Sequence, residues 1–172
     1  MNESSPLPAL ILATIDLQEG KLTEAETTFR EFYVKKPGSF DAINGLATAL
    51  LAQTSTEKLQ QGLELARVNA KAQSNIKTPE GRQAVALLAW ALFQDGATQE
   101  ADQLIQSIVV SGEINPEIGY YAARIFKETQ KADLAKEILT KSLDNDTKFP
   151  NRSQAEEFLK SMSSSKENSS KN

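Results

Sequence analysis

The chain has 172 residues, of which 40% are hydrophobic and 24% charged, proportions that are typical of a soluble globular protein. It contains neither cysteine nor histidine, which excludes disulfides, thiolate nucleophiles, imidazole bases and zinc sites of the usual ligand type. The formal net charge of −4 offers no positive field to a phosphate backbone, so a nucleic-acid partner is not expected.

Residues 6–39 are predicted to form a first pair of helices. The apolar run over residues 7–15 lacks the basic flank and cleavage site of a signal peptide and is too short to span a membrane. Gly20 follows it and is placed to adopt the left-handed conformation that ends a helix. The sequence does not decide the compartment. The protein is cytoplasmic, or it is periplasmic or envelope-associated if a targeting segment precedes this sequence.

Three further helix pairs are predicted near residues 40–77, 78–115 and 116–149. A pair of small or apolar residues marks the first helix of each unit, at spacings of 34, 42 and 34: Leu12-Ala13, Leu46-Ala47, Leu88-Ala89 and Ala122-Ala123. The longer middle spacing is assigned to extra residues at 53–57 and 72–77. A period near 34 is typical of stacked helix pairs, each of which needs its neighbours to bury its apolar face.

A capping helix is predicted over residues 151–162, because Ala155, Phe158, Leu159 and Met162 recur at helical spacing on one face. Residues 1–5 and 163–172 are predicted to be disordered, the latter because they contain only Ser, Lys, Glu and Asn. The predicted fold class is therefore all-α, an α-solenoid of about four antiparallel helix pairs with a C-terminal cap.

A glycine, an alanine five residues later and a large apolar residue four further on begin at Gly20 and again at Gly96. This pattern resembles the tetratricopeptide repeat (TPR) family over residues 6–143. The second unit departs from it with Gly62 at the alanine position, and the fourth has Gln130 in place of the glycine. No unit carries, at the family's own position in the first helix, the tryptophan or tyrosine that strong members have there. The alternative is another α-helical repeat, such as a half-a-TPR or Sel1-like stack.

The resemblance implies a superhelix whose concave groove binds a protein or peptide, with no catalytic residues, cofactor or metal. A weaker similarity links residues 118–159 to bacterial TPR proteins of exosortase-type surface export. That similarity implies a bacterial protein with an envelope role, of which this chain is the C-terminal part.

In TPR-like stacks the first helix of each pair lines the groove, so its groove residues lie beside the buried stripe. The predicted groove residues are Leu10, Thr14 and Leu17 in the first repeat, Asn44, Thr48 and Leu51 in the second, Ala86, Trp90 and Phe93 in the third, and Tyr120, Arg124 and Lys127 in the fourth. TPR proteins that grip a C-terminal carboxylate carry lysine and asparagine at the positions of Leu10 and Thr14. A chaperone tail is therefore not the expected ligand.

Trp90, the only tryptophan, has two interpretations. It fills the core between repeats, or it forms an aromatic anchor with Phe93 and Tyr120, flanked by Arg124 and Lys127. Aromatic residues and arginine dominate binding hot spots. Under the second interpretation the groove takes an apolar segment that carries an acidic residue toward the fourth repeat.

Two other sequence features were considered as ligand sites, and neither fits one. The Asp-Asn-Asp run at residues 144–146 lacks the glycine and glutamate of a calcium loop, and the glycines are too scattered for a phosphate loop. The sequence thus predicts a non-catalytic protein- or peptide-binding scaffold. Two alternatives remain: a module that self-associates into a homo-oligomer through exposed groove residues, and a regulatory or docking domain cut from a larger bacterial envelope or export protein.

Overall fold

The computed structural model describes residues 7–144 and 146–169, with side chains placed as far as Ser163. Its helices, in chain order, are α1 (Leu7–Gln18), α2 (Leu22–Lys35), α3 (Phe40–Leu51), α4 (Thr56–Ala72), α5 (Pro79–Gln94), α6 (Thr98–Val110), α7 (Pro116–Glu128), α8 (Ala132–Ser142) and α9 (Arg152–Ser169). The described residues contain no strand. The predicted disorder of residues 1–5 lies outside the described residues, as do residues 170–172.

The helices pack as four antiparallel pairs in a row, closed by α9. Each helix packs against the next one along the chain from α1 to α8, and α8 packs against α9. The first helices of the pairs, α1, α3, α5 and α7, also pack side by side and form an inner layer. The predicted all-α solenoid is confirmed.

Four of the helices described above begin at a residue whose side chain caps the first turn. Ser39, Ser55, Thr78 and Asn115 each accept a hydrogen bond from a backbone N–H of the first turn, at the starts of α3, α4, α5 and α7. Such caps satisfy donors that have no partner within the helix. In α5 and α7 a proline follows the cap, where its missing N–H costs nothing.

The turns between paired helices share one backbone conformation. Gly20 and Gly96 have φ of 75° and 88°, the left-handed region that was predicted for Gly20. Gln130 takes the equivalent place in the fourth repeat with φ of 63°, although it carries a side chain. The second repeat differs, because residues 52–55 form a longer turn that ends at the Ser55 cap.

Small residues set the distances between helices. The alanines of the repeated sequence pairs, Ala13, Ala47, Ala89 and Ala123, are completely buried. Two glycines allow still closer approach: a Cβ at Gly45 would overlap the ring of Phe29 on α2, and one at Gly119 would overlap the hydroxyl of Ser142 on α8. Buried leucine, isoleucine and aromatic side chains fill the space around these contacts.

Two carboxylates connect the outer helices to the following repeat. Glu26 of α2 accepts hydrogen bonds at 2.8 Å from Lys58 Nζ and Gln53 Nε2, at the turn between α3 and α4. Asp102 of α6 pairs with Lys131 Nζ at 2.6 Å in the turn between α7 and α8. Each carboxylate directly follows a buried alanine, so the repeat pattern places both at the same junction.

Helix α9 runs to Ser169, whereas the sequence predicted that helix ends near residue 162 and that disorder begins at 163. Ala155 and Met162 are buried against the fourth repeat, and this packing starts the helix. Adding residues to an existing helix costs far less free energy than starting one, so a polar segment can continue it.

No helix in the described part of the chain is long and apolar enough to cross a membrane. The same residues contain no group of three or more carboxylates placed to hold a metal ion.

The left-handed conformation of Gln130 gives a stability prediction. A residue with a Cβ is strained there, so Gln130→Gly should raise the unfolding free energy by about 0.5–1 kcal/mol after allowing for the extra freedom of glycine in the unfolded chain. Thermal unfolding followed by circular dichroism should show a melting temperature higher by about 2–4 °C. Gly96→Gln is the matched control and should lower it; an unchanged or lower value for Gln130→Gly would contradict the strain.

The ion pair of Glu26 predicts a dependence of stability on pH. Burial opposes ionisation of this carboxyl, but hydrogen bonds from Lys58, Gln53 and Arg30 outweigh it and lower the pKa from 4.5 to about 2. A carboxyl whose pKa is lowered by folding stabilises the folded chain at pH values above the ordinary pKa of that carboxyl. This stabilisation is lost as the pH falls toward 2. Glu26→Gln should therefore lower the unfolding free energy by about 1 kcal/mol near neutral pH, allowing for solvent screening.

The difference between wild type and Glu26→Gln should shrink as the pH is lowered from about 4.5 toward about 2, because the stabilisation by the ionised carboxylate is lost over this interval. Thermal unfolding at several pH values measures this convergence. Glu64→Gln, at an exposed position of α4, is the control and should follow the wild type throughout. Parallel curves for wild type and Glu26→Gln would rule out the predicted role.

Candidate functional site

The inner layer encloses a cavity near the N-terminal end of the solenoid. Its walls are α1, α3, the start of α7 and the segment of residues 147–150 that precedes α9, and its volume is about 450 Å³. We call it the groove cavity. The walls come from both ends of the chain, so the curvature of the inner layer brings the fourth repeat opposite the first.

The segment of residues 147–150 closes one side of the groove cavity. Phe149 of this segment is buried in the large core cluster, and Lys148 is exposed at the rim. A hydrogen bond and the charge of Lys21 hold the pKa of Glu19 below its usual range, and the charge of Lys148 adds a smaller effect in the same direction. The segment and Gln18, the last residue of α1, line the same cavity.

Five of the predicted groove residues line the cavity: Leu10, Thr14, Leu17, Asn44 and Thr48. Their polar atoms are partly occupied within the chain. Thr48 Oγ1 donates to the backbone oxygen of Asn44 at 2.9 Å, and Asn44 Oδ1 accepts from Asn69 Nδ2 at 3.3 Å. These bonds fix the orientation of the α3 side chains and leave the wall part apolar and part polar.

A hydrogen-bonded chain anchors the start of α7 at the other wall. Glu117 accepts at 2.7 Å from the hydroxyl of Tyr121 on one carboxylate oxygen and from Gln83 Nε2 on the other. Asn115, the cap of α7, donates to Gln83 Oε1, also at 2.7 Å. Burial raises the pKa of Glu117, and these two donors only partly offset it. Burial and the nearby Glu117 raise the pKa of Tyr121.

Four aromatic side chains, Trp90, Phe93, Tyr120 and Tyr121, form what we call the aromatic cluster between α5 and α7. The Trp90 ring stacks on Tyr121 with a centroid distance of 4.9 Å and lies 5.6 Å from Phe93 and 5.7 Å from Tyr120. Trp90 is 7% exposed and Tyr120 is 3% exposed. The rings therefore pack mainly on one another, which favours the interpretation of Trp90 as a core residue between repeats.

Arg124 lies between the aromatic cluster and α9. Its guanidinium carbon is 5.0 Å from the ring centroid of Phe158 and 5.9 Å from those of Trp90 and Tyr120, and Nη1 donates to the Tyr120 hydroxyl at 3.0 Å. Such cation–π contacts stabilise a partly desolvated guanidinium. Across the described residues no carboxylate lies within ion-pair distance of Arg124 or Lys127.

The predicted groove residues thus fall into separate places. Asn44 and Thr48 line the groove cavity, while Trp90, Phe93, Tyr120 and Arg124 gather at the aromatic cluster. Leu51 is buried and faces Gly62 of α4, where an added Cβ would come within 2.8 Å of its Cγ. Lys127 is exposed.

Sequence reasoning missed three polar residues of the inner layer: Asp41, Gln83 and Glu117. Each lies three residues before a predicted groove residue, so one more helical turn toward the N-terminus would have found them. Asp41 and Glu117 line the groove cavity. The segment of residues 147–150 has no comparable signal, because its place depends on the curvature of the whole stack.

No known family profile and no curated protein matches this chain in sequence. Solved structures do match its fold. A thermophilic TPR protein of Thermus thermophilus superposes with a TM-score of 0.67 at 16% identity, over 94% of this chain and 82% of that one. A Podosopora anserina protein with nearly identical TPR-like repeats gives 0.61 at 19% identity, over 92% of this chain and 87% of that one. A variant of that protein with one substitution gives 0.59 at 18% identity, over 99% and 100%.

At these identities the likeness concerns the fold, and it agrees with the four helix pairs and the inner layer described above. The similarity of residues 118–159 to exosortase-linked proteins stays a prediction. The chain has the fold of tetratricopeptide repeat proteins.

Proposed function

We propose that this chain is a non-catalytic scaffold that binds a segment of a partner protein in its concave groove. The observation that carries the proposal is the groove cavity, an open space of about 450 Å³ between the two ends of the inner layer. Its volume lies in the range of about 300–1,000 Å³ that is usual for ligand clefts. Its walls combine apolar side chains with a few oriented polar groups, the composition that such clefts share.

The groove cavity is a better contact surface than the aromatic cluster. Trp90 and Tyr120 have little surface left for a partner, because neighbouring rings and Arg124 cover them. Leu10 and Thr14 face open space on α1, and Asn44 adds a fixed polar group. In this proposal the cluster keeps α5 and α7 rigid, while the cavity makes the contacts.

The C-terminal part of the predicted site keeps a narrower role in the proposal. Phe93 and Arg124 are partly exposed and Lys127 is exposed. An acidic residue of a bound segment would find two cations there without a carboxylate partner in the described chain. This end therefore remains the place for the acidic contact predicted from the sequence.

Self-association is a second candidate, and one observation favours it. Four large apolar side chains of α1, Leu7, Ile11, Leu12 and Ile15, are between 40% and 62% exposed. A helix that is apolar on all sides is normally covered by other structure. Light scattering over a concentration series tests this candidate, and a strict monomer would remove it.

Blocking the groove cavity tests the scaffold proposal. Thr14 is exposed and its hydroxyl donates to the carbonyl four residues earlier, so Thr14→Trp should fill the cavity without disturbing the fold. In affinity capture from an extract of the source cells, the variant should retain less than about a tenth of the partner that wild type retains, a loss of more than about 1.4 kcal/mol.

Thr140→Trp is the matched control, because Thr140 is equally exposed on α8 and donates to its own i−4 carbonyl. It should capture the partner as well as wild type does. Equal capture by all three proteins, or no capture above background by any of them, would contradict the proposal.

Trp90→Ala separates the two interpretations of the tryptophan. Because Trp90 is buried in the aromatic cluster, we expect the variant to lose about 3–5 kcal/mol of unfolding free energy, measured by urea denaturation. A variant that keeps wild-type stability and loses partner binding would instead support the anchor interpretation.

A further inference from the structure

The charged side chains that line the groove cavity are unequal in sign. Asp41 on α3 and Glu117 on α7 are acidic, and Lys148 on the segment of residues 147–150 is the single base among the residues that line it. Lys148 is exposed at the rim. Asp41 is exposed as well, whereas Glu117 is only partly exposed, so the least solvated charged group of the cavity is a carboxylate.

Glu117 is the less solvated of the two carboxylates. Both of its hydrogen-bond donors, the Tyr121 hydroxyl and the Gln83 amide, are neutral. No cation of the described chain lies within ion-pair distance of it. Each carboxylate oxygen can accept more than one hydrogen bond, so Glu117 retains capacity for a ligand. A cation in the cavity would stabilise its ionised form, which burial disfavours.

The rest of the wall suits an apolar side chain. Leu10 and Ile11 of α1 and Phe40 of α3 line the same cavity as the two carboxylates and keep exposed surface there. A ligand that fits must therefore carry a cation and an apolar group side by side. A lysine or arginine next to a large apolar residue has this chemistry, since its long stem also packs on apolar surface.

We propose that the groove cavity binds a peptide segment in which lysine or arginine lies next to a large apolar side chain. The cation contacts Glu117 and Asp41, and the apolar side chain packs against Leu10, Ile11 and Phe40. The inference rests on the proposed function and names the chemistry of its partner. It concerns the start of α7, whereas the acidic contact is expected at Arg124 and Lys127 in the later turns of that helix.

A displayed library of random heptapeptides provides the probe. Wild type, Glu117→Gln, Thr14→Trp and the control Glu64→Gln are each immobilised and used to select peptides. Peptides that bind wild type but not Thr14→Trp depend on the cavity. Compared with the input library, these peptides should contain at least threefold more lysine and arginine, and less aspartate and glutamate. Glu64→Gln should give the same enrichment, and Glu117→Gln should lose it.

One recovered basic peptide then gives the affinities. Replacing its lysine by norleucine should weaken binding to wild type about tenfold, as expected for a hydrogen bond to a charged group. The same replacement should have little effect on binding to Glu117→Gln, because the partner carboxylate is already absent. If Glu117→Gln alters the melting temperature, Asp41→Asn at an exposed position serves in its place and should show the same direction of change.

The outcomes separate the two proposals. Peptides that depend on the cavity but show no basic excess would overturn the inference and leave the scaffold function intact. If every peptide that binds wild type also binds Thr14→Trp, or if no peptide binds wild type, the scaffold function is overturned, and the inference with it. If Glu117→Gln and Asp41→Asn both still select peptides enriched in lysine and arginine, these carboxylates do not bind the cation. That result would overturn the inference alone.

Discussion

Close approach of the first helices is the constraint on which this structure depends. Four buried alanines, Ala13, Ala47, Ala89 and Ala123, place a methyl group where α1, α3, α5 and α7 meet their neighbours. A larger side chain there would force the helices apart, because protein interiors contain little free volume. The inner layer can curve only while these contacts stay close. The groove cavity exists because that curvature carries α7 and the segment of residues 147–150 around to α1.

Charge is used differently on the two faces of the stack. On the outer helices, Glu26 and Asp102 pair with lysines of the following repeat, and their pKa values are lowered. On the inner layer, Glu117 has only neutral donors and its pKa is raised. Paired carboxylates stabilise the junctions between repeats. A partly buried carboxylate without a counter-charge is destabilising by itself, and carboxylates with raised pKa values are found more often at functional sites than elsewhere.

The aromatic residues show that composition alone does not identify a binding surface. Trp90, Phe93, Tyr120 and Tyr121 have the residue types of a hot spot, but packing within the chain, with ring contacts at 4.9–5.7 Å, buries Trp90, Tyr120 and Tyr121. The cluster also supports Tyr121, whose hydroxyl holds Glu117 in place. Packing within the aromatic cluster thus positions the carboxylate of Glu117 in the wall of the groove cavity.

The four helix pairs, their turns and the identity of the inner helices all follow from the order of residues along the chain. Period, capping residues and buried alanines act within one repeat or between neighbours, so they can be recognised locally. The same pattern predicts which side of each first helix faces inward, and hence Asn44 and Thr48 in the cavity wall. It did not reveal Asp41 and Glu117, which lie one turn beyond the residues considered.

Where the groove is open and where it is filled depends on the packing of the whole stack. Trp90 and Arg124 occupy groove positions by spacing, yet ring stacking buries Trp90 and Phe158 of α9 packs against part of Arg124. The cavity lies between α1, α3 and the start of α7 and is closed by residues 147–150, which are more than 90 residues along the chain from the α3 side chains in the same cavity. The physical reason is that small rotations between repeats add up over the stack. No local pattern records their sum.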